Sequence, residues 1–393
     1  MVSREVASFL IVTCIVSLGI LLRKISKPRV ASSINARDPS SLVHERLIES
    51  DESCAETSRS KISAFGKIEL HCHLNGSVRM ETLREILGSW DGPTVVHSIN
   101  DAFDVFKKVY EAVNSQSVLR RIVRELLTDA VADNIRYLEL RTTPRKLSDV
   151  SSHKEYVKIV VDEISRFPGL NRQKPLATFP SGKIAVRLIL TINRSEPIAL
   201  AEQTIDIALR FPGLVVGIDF AGNPSKGTFE DFIPAFERAR GHGLFTTVHT
   251  SEIRGVDKET DAILDFKPNR MGHFLFPTEE QIEKALHRGI AIESCPTSNM
   301  CAINGVAPVD GRIEGHGIIE RFVRHQPGVI SINTDDPGVF GVNLSAELFT
   351  VANSFNLSAK EISVLITNSA QQAFLSKPER EALLESLVKT FYR

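Results

Sequence analysis

The sequence predicts an α/β domain built as a (β/α)8 TIM barrel with additional helices, and three observations carry that prediction. Eight short apolar or β-branched runs recur along the chain, segments of helical period fill the gaps between them, and histidines and acidic residues collect where the runs end. Barrel enzymes build their sites at the C-terminal ends of their strands, so polar residues gathered there support closure of the sheet over the alternative, a doubly wound open sheet.

The elements follow in order. The first run, 67–70, ends at His71-Cys72-His73. A helical stretch over 118–133 precedes the second, 135–140, which ends in Arg141-Thr-Thr-Pro-Arg145. The third run covers 184–191, with a helix expected over 199–210. The fourth, 214–220, leads into Gly222 and a helix over 229–240. The fifth, 244–248, ends at His249, and the sixth, 270–272, ends at His273 before a helix over 279–288. The seventh, 290–294, runs into Cys295-Pro-Thr-Ser-Asn299, and the eighth, 329–334, into Asp335-Asp336. Beyond it, 345–355 and 358–374 read as closing helices, the second opened by the capping box of Ser358 and Glu361.

With 393 residues the chain accommodates one large domain and an N-terminal extension. Three parts are expected: 1–30, a hydrophobic leader or membrane anchor; 31–63, a flexible linker rich in Ser, Glu and Arg; and 64–393, the catalytic barrel. The uncharged stretch 6–22 is followed by Arg23, Lys24, Lys27 and Arg29. Basic residues after an apolar run keep that side cytosolic, which favours an uncleaved tether with a cytoplasmic catalytic domain over a cleaved signal or an incidental leader. The two glycosylation patterns, Asn75-Gly-Ser77 and Asn193-Arg-Ser195, fall at the expected pocket rim, where a glycan would obstruct access.

A formal net charge of -1 gives no basic footprint for a nucleic-acid polymer, so any nucleic-acid component is expected as a small molecule. No protein partner is implied. Five cysteines without dense spacing fit a reducing compartment. Cys72 points away from its flanking histidines and reads as a small buried hydrophobe.

Two histidines at alternate strand positions face one side, so His71 and His73 can close on one metal ion, with His249 and Asp335 completing the shell. The expected cofactor is one Zn2+, which lowers the pKa of a bound water towards ~7. Taken singly, each of these histidines is better explained as a satisfied core or surface residue; the joint placement at strand ends carries the metal reading. Glu252, on the loop after the fifth strand, is placed to shuttle protons. His273 is placed to orient the attacking oxygen or stabilise developing charge. Asp336 diverges from Asp335 toward the substrate; its bland alternative is a turn residue before Pro337. The run from Gly222 to Thr228 lacks the order of a phosphate-cradling loop, and the His-x-Glu with Pro-Cys-x-x-Cys signature of cytidine-type deaminases is absent.

Five strings, His71-Cys-His-Leu-Asn-Gly76, Asp219-Phe-Ala-Gly-Asn223, His249-Thr-Ser-Glu252, Gly272-His273 and Asn333-Thr-Asp-Asp336, resemble in order the adenosine and AMP deaminase family of zinc barrels. The resemblance implies that His71, His73, His249 and Asp335 bind zinc and that Glu252 protonates purine N1. It also implies that His273 assists the attacking oxygen, Asp336 bonds N7 and the backbone of Gly222 meets N3. Nucleoside deaminases of this family place an Asp where this chain has Asn75. A carboxylate there would repel a 5′-phosphate by on the order of a few kcal/mol. Asn75 with Thr142, Thr143, Pro144 and Arg145 is similar to the branch that hydrolyses N6-methyl-AMP to IMP and methylamine. Tyr110 and Asn193 depart from that branch, standing where a His and an Asp are expected. His73, Asn75, Tyr110, Thr142, Thr143, Pro144, Arg145, Asn193, Gly222 and Asp336 are therefore the expected substrate contacts. The alternatives are deamination of adenosine itself and a purine-binding module without turnover.

Overall fold

In the computed structural model of the protein, the residues described are 57–88, 99–304, 308, 312–313 and 315–391. The leader over 6–22 and most of the expected linker lie outside them. Within the expected linker, however, residues 59–63 open a helix, α1 (Arg59–Ala64), whose Ile62 is fully buried. This part of the span expected as linker is therefore a helix anchored by an apolar residue. Among the described residues no helix is long and apolar enough to cross a membrane.

Strand β1 (Lys67–His73) shows how the barrel is filled. Its alternate residues Glu69 and His71 reach across the interior to Thr334 and Glu293, while Ile68, Leu70 and Cys72 join the apolar core. Both faces are buried, as parallel strands between an interior and a helix layer require. The chain continues through α2 (Met80–Leu87), α3 (Ile99–Ala112) and α4 (Gln116–Ala132) to β2 (Ile135–Thr142). It then alternates α5 (His153–Arg166), β3 (Ala185–Asn193), α6 (Ile198–Ala208), β4 (Val215–Ala221), α7 (Phe229–Gly241) and β5 (Phe245–Thr250). There follow α8 (Asp257–Phe266), β6 (Arg270–His273), α9 (Glu279–Arg288), β7 (Ala291–Ser294), α10 (Pro296–Asn304), α11 (Gly317–His325) and β8 (Ile330–Ile332). Four more helices close the chain: α12 (Pro337–Phe340), α13 (Leu344–Phe355), α14 (Ala359–Gln372) and α15 (Lys377–Phe391).

The eight strands pair in sequence order, all in parallel. Closure comes from the last strand's extension against the first. Asp335 bridges Cys72, His73 N donates to Asp335 O at 2.8 Å, and Asp335 N donates to His71 O at 2.8 Å. The sheet is thus a barrel, and the open-sheet alternative falls away. Ser358 and Glu361 form the expected capping box at the start of α14. Helix α15 had no expectation attached, although its Leu383, Leu384 and Leu387 are buried.

Several strands run past the apolar runs that announced them. His73, Thr142, Asn193, Thr250 and His273 are the final strand residues, because their backbones keep pairing after the side chains turn polar. Below them the barrel interior holds a buried ionic layer. Arg270 pairs with Glu139 and, at 2.5 Å, with Glu293, which also accepts from Arg141 at 2.7 Å. Removing one member of such a network leaves its partner charged and dry, so the layer acts as a rigid floor.

Candidate active site

Three strand ends bear non-glycine residues in the left-handed region: Ser251 (φ 55°) after β5, His273 (φ 62°) at the end of β6 and Asp335 (φ 62°) after β8. Such backbone is sparsely populated for these residue types and persists only where its surroundings hold it, as it often does at functional sites. The turns at His273 and Asp335 bring both side chains to a cavity at the mouth of the barrel, while Ser251 Oγ accepts from the backbone N of Phe276. That cavity measures about 660 Å³, within the range of a small-molecule site.

At its base the histidines converge. His73 Nε2 lies 3.2 Å from His249 Nε2, and Asp335 Oδ1 lies 3.2 Å from His71 Nε2 and 3.4 Å from His73 Nε2. Metal–nitrogen bonds of about 2.0–2.1 Å in a tetrahedron put ligands about 3.3–3.4 Å apart, so these spacings fit the edges of one metal site. The His71 Nε2 is buried and has no hydrogen-bond partner. A buried ring nitrogen without a donor is costly unless a cation meets it.

Donor atoms of His71, His249, His273 and Asp335 also lie within 4.8 Å of one another. His273 is nevertheless the poorer fourth ligand. Its Nε2 is 3.9 Å from Asp335 Oδ2, and that oxygen already accepts from Ser298 Oγ at 2.7 Å.

Carboxylates behind the rings fix their orientation. His71 Nδ1 donates to Glu293 Oε2 at 2.8 Å and His249 Nδ1 to Asp219 Oδ1 at 3.0 Å. Burial opposes ionisation of both acids. Arg141 and Arg270 beside Glu293, and His249 and Arg141 beside Asp219, outweigh it and hold both well below the usual range. Each ring therefore carries its hydrogen on Nδ1 and turns a bare Nε2 inward. Burial, foremost, holds His73 well below its ordinary value, which leaves it free to ligate.

The two neighbouring aspartates are driven apart. For Asp335, burial is outweighed by His273, His71 and His73, and the carboxyl stays ionised. For Asp336, burial and the adjacent Asp335 charge both push the carboxyl well above its ordinary value. Asp336 packs over Gly76 so closely that a Cβ there would sit 1.7 Å from its Oδ1. Gly272 gives His71 similar room, 2.9 Å from such an atom.

Most of the expected residues line the cavity: His73, Asn75, Tyr110, Thr142, Thr143, Asn193, Gly222, His249, Glu252, His273, Asp335 and Asp336. His71 lies beneath, fully buried. Glu252 Oε1 is 3.7 Å from His273 Nε2. Pro144 and Arg145 are not among the residues lining this cavity. The Arg145 guanidinium donates to the carbonyl of Val113 and stacks 4.9 Å from the ring of Tyr110, itself a lining residue. Asn75 and Asn193 both line the cavity, and Asn75 is buried, so neither position suits a glycan.

The supporting residues Glu293, Asp219, Ser298 and Asn299 carried no expected role, though three of them stand inside quoted strings. Glu293 alone had no local signal, because its partner His71 is 222 positions away.

Comparison with known proteins agrees with this geometry. A sequence model described as adenosine deaminase matches residues 66–390. The "Adenosine deaminase-like protein" of Drosophila melanogaster is 33% identical over 336 residues, covering 81% of this chain and 94% of that protein. The "N6-mAMP deaminase" of Arabidopsis thaliana is 31% identical, covering 82% and 96%. Among solved structures, arabidopsis ADAL complexed with GMP superposes with a TM-score of 0.75 at 30% identity, covering 84% of this chain and 98% of that one. Barrel, strand-end residues and relatives agree over the same span, and the chain belongs to the adenosine deaminase family as a hydrolytic deaminase.

Proposed function

We propose that the protein is a zinc-dependent deaminase of purine 5′-monophosphates, converting N6-methyl-AMP and water to IMP and methylamine. The observation that carries the substrate choice is Asn75: a neutral amide, buried at the cavity wall with its Oδ1 unpartnered, stands where a carboxylate would repel phosphate. Relatives at about 30% identity described as N6-methyl-AMP deaminases support the same choice.

His71, His73, His249 and Asp335 would hold the ion. Bound zinc supplies Lewis acidity that makes water a nucleophile near neutral pH. The chain's own groups do the rest. Glu252 delivers a proton to N1, which makes C6 electrophilic toward water. Asp336, whose carboxyl burial and Asp335 push above its ordinary value, donates to N7, an acceptor on the purine edge. The backbone of Gly222 (φ 118°), bare of a side chain, approaches N3. His273 contacts the oxygen as it adds to C6; of the two protons of that water one returns to Glu252 and the other goes to N6, and the C6–N6 bond then breaks to release the amine. The roles of Tyr110, Asn193, Thr142 and Thr143 are contacts to ribose and phosphate.

Adenosine is the second reading, favoured by one observation. Among the described residues the only arginine lining the cavity is Arg141, and it is held by Glu293 and by the Leu70 carbonyl. One experiment separates the two: turnover of adenosine, AMP, N6-methyladenosine and N6-methyl-AMP by the zinc-loaded protein, repeated with Asn75→Asp. The proposal expects kcat/KM highest for N6-methyl-AMP and lowered about tenfold or more by the added carboxylate. A preference for adenosine that Asn75→Asp leaves unchanged would overturn it.

A further inference from the structure

Behind His273 a chain of side chains runs away from the cavity. The Asn299 side-chain oxygen Oδ1 is placed 2.9 Å from His273 Nδ1, and its nitrogen Nδ2 3.1 Å from Ser294 Oγ and 3.0 Å from His316 Nε2. The other nitrogen of His316, Nδ1, caps helix α11 by meeting the backbone N of Ile319 at 3.3 Å. Asn299, His316 and His273 are all buried. The direction of every bond in this chain follows from its far end.

A backbone N–H can only donate, so Ile319 fixes Nδ1 of His316 as an acceptor. Burial lowers the pKa of His316 to about 4, so at neutral pH the ring carries a single hydrogen. That hydrogen sits on Nε2 and points at Asn299. The oxygen and nitrogen of an amide are distinguished by their partners, and a donor from His316 calls for oxygen there, with the Asn299 amide turned over from the placement given above. The same oxygen then accepts from the Ser294 hydroxyl, which rotates to suit. The amide NH2 is left facing His273, whose Nδ1 must accept. The opposite amide orientation pushes the His316 hydrogen onto Nδ1, against the N–H of Ile319, and strands two donors face to face in a buried place.

We propose that Ile319, through His316 and Asn299, sets the tautomer of His273 so that its Nε2 carries hydrogen and faces the cavity as a donor. The surroundings of Nε2 suit a donor, since it looks at Glu252 Oε1 at 3.7 Å and Asp335 Oδ2 at 3.9 Å. The three buried histidines of the site are thereby divided by what stands behind them. Carboxylates behind His71 and His249 leave bare nitrogens inward, whereas the amide behind His273 leaves an N–H inward. This explains why His273, so near the other donor atoms, stays outside the ligand set. Its catalytic consequence rests on the deaminase reading: His273 holds the oxygen that adds to C6 by donating to it and does not take its proton, and His316 and Asn299 are positioning residues.

The test is the 15N spectrum of the zinc-loaded chain with labelled histidine, the His273 signals being assigned by their loss in His273→Gln. The expected spectrum has a protonated Nε2 and a bare Nδ1 at residue 273. Asn299→Asp, which can only accept, should move the hydrogen to Nδ1 and lower kcat at least tenfold with KM little changed. His316→Asn keeps a helix cap but is too short to reach Asn299, so it should loosen the tautomer preference at little cost to the melting temperature. A wild-type spectrum with hydrogen on Nδ1 overturns the proposal. A reversed tautomer in Asn299→Asp with kcat within twofold overturns its catalytic part. If Asn299→Asp does not fold, the wild-type spectrum and His316→Asn decide. Failure of the wild type to turn over any purine, with Nε2 protonated, would instead overturn the function and leave the tautomer standing.

Discussion

Replacing Asp219 with Asn tests whether the residues behind the ligands govern the metal. Asp219 Oδ1 holds His249 Nδ1 at 3.0 Å, and its Oδ2 accepts from Thr191 Oγ1 at 3.1 Å. The isosteric amide keeps the shape and removes the charge that makes His249 a basic ligand with a fixed tautomer. Loss of such a support costs roughly 10- to 100-fold in metal affinity, or about 1.4–2.7 kcal/mol. The fold should tolerate the change, because Arg141, 3.5 Å from Asp219, keeps its 2.7 Å pairing with Glu293. Zinc affinity is read by chelator competition, with thermal unfolding of the metal-free protein as control. Affinity within twofold of wild type, at unchanged stability, would refute the reasoning.

Three further outcomes are expected. Glu252→Gln should bind zinc normally and lose several orders of magnitude in turnover, and near-normal turnover would remove Glu252 from the reaction. Gly76→Ala should displace the Asp336 carboxyl, because the new methyl would lie 1.7 Å from its oxygen, and should raise KM with zinc content unchanged; an unaltered KM would detach Asp336 from the substrate. Glu347, at the Thr297 backbone N–H, is raised to about 8 by burial. Its folded value lies above its unfolded one, so its contribution is complete below about pH 4.5 and is lost as pH rises toward 8, at about 1.4 kcal/mol per unit. Denaturant titrations at pH 5 and pH 7.5 should therefore show a smaller alkaline loss in Glu347→Gln, and identical losses would place Glu347 elsewhere.

Much of the site was legible in the chain because its parts are local. His71 and His73 announce a shared strand face by their spacing alone, and Glu252 follows His249 on the same loop. What was not legible depends on partners far apart in sequence. Glu293 steadies His71 from across the barrel, and no spacing links positions 71 and 293. Arg145 looked suited to phosphate because an arginine ends the string after β2. Its guanidinium also satisfies the Val113 carbonyl just beyond α3, a contact decided by where that helix lies and invisible in the spacing. The strand ends were underestimated for a related reason: polar residues such as Thr142 and His273 interrupt an apolar pattern without interrupting backbone pairing. The ionic floor of Glu139, Arg270 and Glu293 is hidden likewise, since charged residues inside a barrel read as surface residues in sequence.

Anomalous scattering at the zinc edge, from crystals of the purified chain, tests the metal centre most directly. The account predicts one peak within bonding distance of His71, His73, His249 and Asp335, with His273 outside its shell. No peak at that position, or one held by His273 in place of His73, would contradict it.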